Sequence, residues 1–142
     1  MAKVDGDTIV VGLDASPCSE KALDWAADEA KRSSRRLLLV NVWHWSSGVA
    51  GSPMSLVGAD DPHTAGRQTL ERAAKHVEAR GVPVATCLAE GSPAGTLTEI
   101  AKDAAMLVVG RRGIGTVRHS LMGSVSKGCL EHSHSPVVVV TT

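Results

Sequence analysis

Five short apolar runs rich in β-branched residues recur along this chain, each separated from the next by enough residues for one helix, and this alternation constrains the fold most strongly. The runs are Thr8 to Leu13 (TIVVGL), Leu37 to Trp43 (LLLVNVW), Val82 to Ala89, Met106 to Val109, and Pro136 to Thr141 (PVVVVT). Nearly continuous apolar stretches of this length are the mark of strands buried on both faces. The third run is different. It alternates apolar and small residues and includes Pro83, which cannot donate to a ladder, so it is expected near a sheet edge.

The intervening segments read as helices. Ser16 can cap a helix and Pro17 suits its first position; the stretch to about Ser33 carries Ala22, Trp25, Ala26, Glu29 and Ala30 on one stripe, followed by cationic Lys31, Arg32, Arg35 and Arg36 near its end. A second helix from about Thr64 to Arg80 turns Leu70, Ala73, Ala74 and Val77 inward and stops at Gly81. Ser92-Pro93 repeats the cap-and-proline device and opens a helix to about Ala104, and Ser124 to His132 forms the last. Between His44 and His63 lies a Gly, Ser and Pro-rich loop, whose length is typical of functional or mobile segments. Five strands alternating with four helices predict a single α/β domain over residues 1–142, a doubly wound parallel sheet with helices on both faces. Such sheets bind ligands beyond the carboxyl ends of their strands, where the winding reverses.

Two carboxyl-end loops have chemical character. Asp14 leaves the first strand, and the stretch Gly110 to Ser126, GRRGIGTVRHSLMGSVS, leaves the fourth. Gly110, Gly113 and Gly123-Ser124 punctuate that stretch, the last pair opening a helix. Glycines let a backbone approach a ligand closely, and a helix start offers unpaired N–H groups to an anion, so phosphate is the natural occupant. The spacing is neither the compact dinucleotide fingerprint nor a P-loop with its lysine. An ordinary strand-to-helix turn would use the same residues. Asp14 either ligates a metal or a ribose hydroxyl or serves as a simple turn residue; Arg111 and Arg112 either grip phosphate or solvate the loop; Ser124 and Ser126 cap the helix whether or not they also meet phosphate.

Composition narrows the partners. The 15 basic and 15 acidic side chains cancel, and there is neither Phe nor Tyr, so neither a basic field nor a stacking surface favours nucleic acid. No stretch reads as a signal peptide or membrane span, and three dispersed cysteines, Cys18, Cys87 and Cys129, suit a reducing cytoplasm as small apolar fillers. Cys129, His132 and His134 lack a fourth metal ligand in reach. Trp25, Trp43 and Trp45 are expected in core or interface packing, and no histidine accompanies a nucleophile motif.

Taken from IVVGLDASPCSEKALDWA through GSPAGTLTEIAKDAAMLVVGRRGIGTVRHSLMGSVSKGCLEHSHSPVVVV, the chain resembles a universal stress protein of the small UspA type. Gly110, Gly113, Gly123 and Ser124 match the motif of that family's ATP-binding branch. The resemblance implies the sheet order 3-2-1-4-5 of an adenine-nucleotide-hydrolase-like fold. It also implies that Gly12, Leu13 and Asp14 meet the nucleoside and a Mg2+ ion, with Asp14 the metal ligand, and that Val42 packs on adenine. Gly110, Arg111, Arg112 and Gly113 would line sugar and phosphates, and Gly123, Ser124, Val125 and Ser126 would wrap the phosphate tail. Ala15 stands where the family often has Gly, which is expected only to stiffen the turn.

The function implied is that of an ATP-binding stress-response regulator in the cytoplasm, a homodimer through Pro136 to Thr141, with slow ATP hydrolysis or none and a possible protein partner. A nucleotide-independent interaction module is the alternative. An ATP-cleaving enzyme of the related hydrolases would carry a Ser-Gly-Gly-Xaa-Asp-Ser loop after the first strand, where this chain has Gly12-Leu13-Asp14-Ala15-Ser16.

Overall fold

The computed structural model describes residues 3–44, 61–112 and 122–141. Its strands are β1 (Thr8–Gly12), β2 (Arg36–Trp43), β3 (Val84–Glu90), β4 (Met106–Gly110) and β5 (Val137–Val140), and its helices are α1 (Pro17–Ser33), α2 (Pro62–Glu78), α3 (Pro93–Ile100) and α4 (Ser124–His132). They alternate as the apolar runs require. The strands form one parallel sheet in the order β3-β2-β1-β4-β5, with Val10 opposite both Leu38 and Leu107. The chain thus winds outward from β1 through β2 to the β3 edge, then crosses back to β4 and on to β5. β3 is an edge strand, and Pro83 lies just before it, where its carbonyl accepts from Leu37 N–H.

Strand alternation sorts side chains into two cores. Ile9, Val11, Leu37 and Leu39 face α1 and α2, meeting Ala22, Ala26, Ala30, Leu70 and Val77, while Val10, Leu38, Val40, Leu107 and Val109 face α3 and α4, meeting Leu97, Ala101 and Cys129. Most of these are fully buried, and each large one contributes roughly 1.5–3 kcal/mol by leaving water. α1 buries four alanines, Ala22, Ala26, Ala27 and Ala30, and packs on β1 and β4. Trp25, expected in packing, is 37% exposed on that helix, whereas Trp43 packs edge to face on His63 of α2. Trp45 lies outside the described residues.

The helix signals are met with three differences. Ser16 caps α1 by accepting from Ser19 N–H at 3.2 Å, with Pro17 in the first turn. α2 starts two residues earlier than Thr64, because Asp61-Pro62 supplies the same device and the Asp61 carboxylate accepts from Thr64 N–H at 2.7 Å. α3 stops at Ile100 rather than Ala104, and Ser92 at its start makes no side-chain cap bond. Ala15 is the third. Its φ of 65° lies in the left-handed region, so a β-carbon there costs about 1–2 kcal/mol instead of simply stiffening the turn.

Candidate functional site

A cleft of about 350 Å³ opens at the carboxyl ends of β1 and β4, where the winding reverses. Period two along β2 aims Val40, Val42 and His44 into it, and Leu97 of α3 and Val109 of β4 complete the apolar side. Gly12 sits beneath them: a Cβ there would come within 2.9 Å of Leu97 Cδ1 and 3.3 Å of Val109 Cγ1, so its absence leaves room in the floor. Of the residues singled out from sequence, Gly12, Leu13, Asp14 and Val42 line one part of the cleft. Gly110, Arg112, Gly123, Ser124, Val125 and Ser126 line the other. Arg111 does not line it, and Gly113 lies outside the described residues, as does most of the loop from His44 to His63. Val40, His44, Pro93, Leu97 and Val109 escaped the sequence reading. Counting by two from Val42 would have found Val40 and His44; the α3 and β4 contributions need the fold.

The two described ends of the glycine stretch are bound to each other. Arg111 donates its N–H to Val140 O at 2.9 Å, while its carbonyl accepts from Gly123 N–H at 2.8 Å and from Ser126 Oγ at 2.8 Å. Ser126 is buried, and its hydroxyl also lies 3.1 Å from Gly123 O. That hydroxyl therefore anchors the start of α4 to the exit of β4. Gly123 is the N-cap and brings no side chain to the first turn, and Ser124, Val125 and Ser126 of that turn line the cleft at the positive end of the helix. An anion is the complement of such a turn.

Gly110 has a different reason to be glycine. A Cβ there would lie 2.7 Å from both Cys18 C and Cys18 Cβ and 2.9 Å from Cys18 O, so its bareness admits the first turn of α1 against β4. Gly128 serves α4 likewise, because its Cβ would meet Ala94 Cβ at 2.6 Å. The helix propensity lost at Gly128, roughly 1 kcal/mol, is the cost of bringing α3 and α4 together.

Asp14 serves as a turn residue. Its Oδ1 accepts from Ser16 N–H at 3.0 Å and from Ser16 Oγ at 2.5 Å, an Asx turn that starts α1, and its own N–H points to Ser19 Oγ at 3.4 Å. Ser16 Oγ also reaches 3.5 Å from Arg112 O, joining the loops after β1 and β4. The half-buried carboxylate still lines the cleft. No group of three His, Cys, Asp or Glu side chains among the described residues would hold a metal by itself, so an ion here would need a ligand's own oxygens. One carboxylate plus phosphate oxygens is a usual magnesium donor set. The cysteines stand apart from this chemistry. Burial pushes the Cys129 thiol up to about 11 beneath α4 and raises Cys87 as well. No described helix is long and apolar enough to cross a membrane.

This architecture defines the class first: an open doubly wound α/β domain with its cleft at the topological switch point. The chain belongs to the universal stress protein family, whose model matches residues 6–141. A universal stress protein of Mycobacterium tuberculosis is 35% identical, the match covering 93% of this chain and 46% of that protein. The chain spans about half the length of the curated relatives it matches. Among solved structures, UspA from Lactobacillus plantarum superposes with a TM-score of 0.79 over 97% of this chain and 99% of that one, at 18% identity, a likeness of fold. A universal stress protein in complex with cAMP is 30% identical with a TM-score of 0.71, covering 94% and 95% of the two chains.

Proposed function

We propose that this protein binds an adenine nucleotide in the β1/β4 cleft and works as a nucleotide-dependent regulatory homodimer of the cytoplasmic stress response. The observation that carries the reading is the pairing, in one cleft, of an aliphatic wall with a helix start that has no side-chain cap, the one suited to a base and the other to phosphate. Val40, Val42, Leu97 and Val109 would hold the base over Gly12. The first turn of α4, Gly123 to Ser126, with Arg112 and Gly113, would hold phosphates, and Asp14 would share a Mg2+ ion with them. ATP is the occupant we favour, since Asp14 gives a phosphate-borne Mg2+ a protein ligand; the cAMP complex of the 30% identical relative favours a cyclic nucleotide as the second reading. Turnover would be slow or absent, resting on the metal and the loop alone.

The dimer would form along β5, whose inner side pairs with β4 and whose sequence, Val137 to Val140, carries no charge to discourage edge pairing. Nucleotide identification in denatured protein purified from cells, followed by calorimetric titration of the emptied protein with Mg·ATP and with cAMP, tests the reading. Released or tightly bound adenine nucleotide supports it, and the tighter titrant names the occupant. No binding of either at millimolar concentration refutes it and leaves an interaction module with a structural glycine loop.

A further inference from the structure

On the α1/α2 face of β2 the alternate positions run Leu37, Leu39, Asn41, Trp43, so one amide interrupts an otherwise apolar stripe. Directly opposite, α2 places Gly66, a buried residue at the fifth position of a 17-residue helix, where glycine costs up to about 1 kcal/mol relative to alanine. The two anomalies explain each other. A Cβ on Gly66 would fall on Asn41 Oδ1 and come within 2.9 Å of Asn41 Cγ and of Leu88 Cδ1, so only glycine lets the helix backbone lie over the amide.

The other end of that amide works on β1. Asn41 Nδ2 donates to Leu13 O at 2.8 Å, and Leu13 N–H donates to Val40 O at 2.9 Å, one rung beyond the last ladder pair, Gly12 opposite Val40. A carbonyl only accepts, so the amide nitrogen must face Leu13 and Oδ1 must face Gly66. Because a peptide unit is planar, fixing the Leu13 carbonyl also fixes the direction of the Asp14 N–H, which points to Ser19 Oγ at 3.4 Å. The Leu13–Asp14 peptide is thus held from both sides, immediately before the left-handed Ala15.

We infer that Asn41, seated under Gly66, is a positioning residue for the cleft: it sets the plane of the Leu13–Asp14 peptide and thereby the place of the Asp14 carboxylate, without touching the ligand. The inference rests on the proposed nucleotide site.

The decisive variant pairs Asn41→Ala with Gly66→Ala, because the methyl at 66 occupies part of the space the amide vacates and only the flexible end of Leu88 has to turn aside. Two measurements are made on it: amide hydrogen exchange at Asp14, and the affinity for Mg·ATP by calorimetry. Exchange at Asp14 at least tenfold faster, with affinity about tenfold weaker and cooperative unfolding retained, is the expected result. Such a loss is that of one well-placed hydrogen bond. Unchanged Asp14 exchange overturns the positioning role whatever the ligand does, and affinity within twofold of wild type overturns its bearing on the site. Wild-type protein that binds no adenine nucleotide overturns the proposed function and the ligand half of the inference, while Asp14 exchange still decides whether Asn41 holds the peptide. Asn41→Asp, which keeps shape but sets a carboxylate oxygen against Leu13 O, must reproduce both effects; wild-type behaviour in it overturns the inference even should the double variant fail to fold.

Discussion

Gly110→Ala separates two explanations of a motif glycine. The added Cβ would stand 2.7 Å from Cys18 C and Cys18 Cβ and 2.9 Å from Cys18 O, where 3.4 Å begins ordinary contact, so it is about 0.7 Å too close. Two of those atoms are backbone and have no rotamer to yield. The first turn of α1 must lift from β4, and with it Ser16, whose hydroxyl joins Asp14 to Arg112. Overpacking typically costs 1–3 kcal/mol, and a backbone clash in a buried strand belongs at the upper end, about 2–3 kcal/mol. For a chain of this length that lowers Tm by roughly 5–10 °C. Urea unfolding of wild type, Gly110→Ala and the control Gly6→Ala, whose Cβ meets nothing within 4 Å, measures the difference. Adding Cys18→Gly should rescue little, since the backbone contacts remain. A loss below about 0.5 kcal/mol together with abolished nucleotide binding would refute the packing argument and return Gly110 to the ligand.

Three further outcomes are expected. Ala15→Gly should raise stability by about 0.5–1 kcal/mol, because relief at φ 65° exceeds the added freedom of the unfolded chain; a destabilised variant would sink the strain argument. Between pH 9 and 11 the folded protein keeps the Cys129 proton that the unfolded chain releases, so stability falls as pH rises through that window, by up to about 2–3 kcal/mol, and Cys129→Ala should flatten the slope. Asp14→Ala should remove the magnesium dependence of nucleotide affinity in calorimetry; an unaltered dependence takes Asp14 out of the metal's reach.

Much of the fold was legible because its signals are local. β-branched runs identify strands, Ser-Pro pairs open helices, and Pro83 stood at a strand that proved to be one of the two edges. α2 was placed two residues late because Asp61-Pro62 sits at the end of a loop-like stretch, although its chemistry is that of Ser16-Pro17. The cleft was legible in part. Asp14 and the Gly123 helix start stand at strand and helix ends, where ligand positions follow from topology, and Val42 came from the family resemblance, whereas Leu97 and Val109 join them only when α3 packs onto β2 beside α4.

By itself the sequence determined the element order, the doubly wound class and the glycine-opened helix start after the fourth strand, since propensity, period and capping act over a few residues. Only the tertiary structure decided what each glycine is for. Gly12 leaves room under the cleft, Gly110 admits Cys18, Gly66 admits Asn41 and Gly128 admits Ala94. The partner that forbids a Cβ lies 25 to 92 residues away in the chain for the last three, so the exclusion is a contact between packed elements that no local pattern encodes.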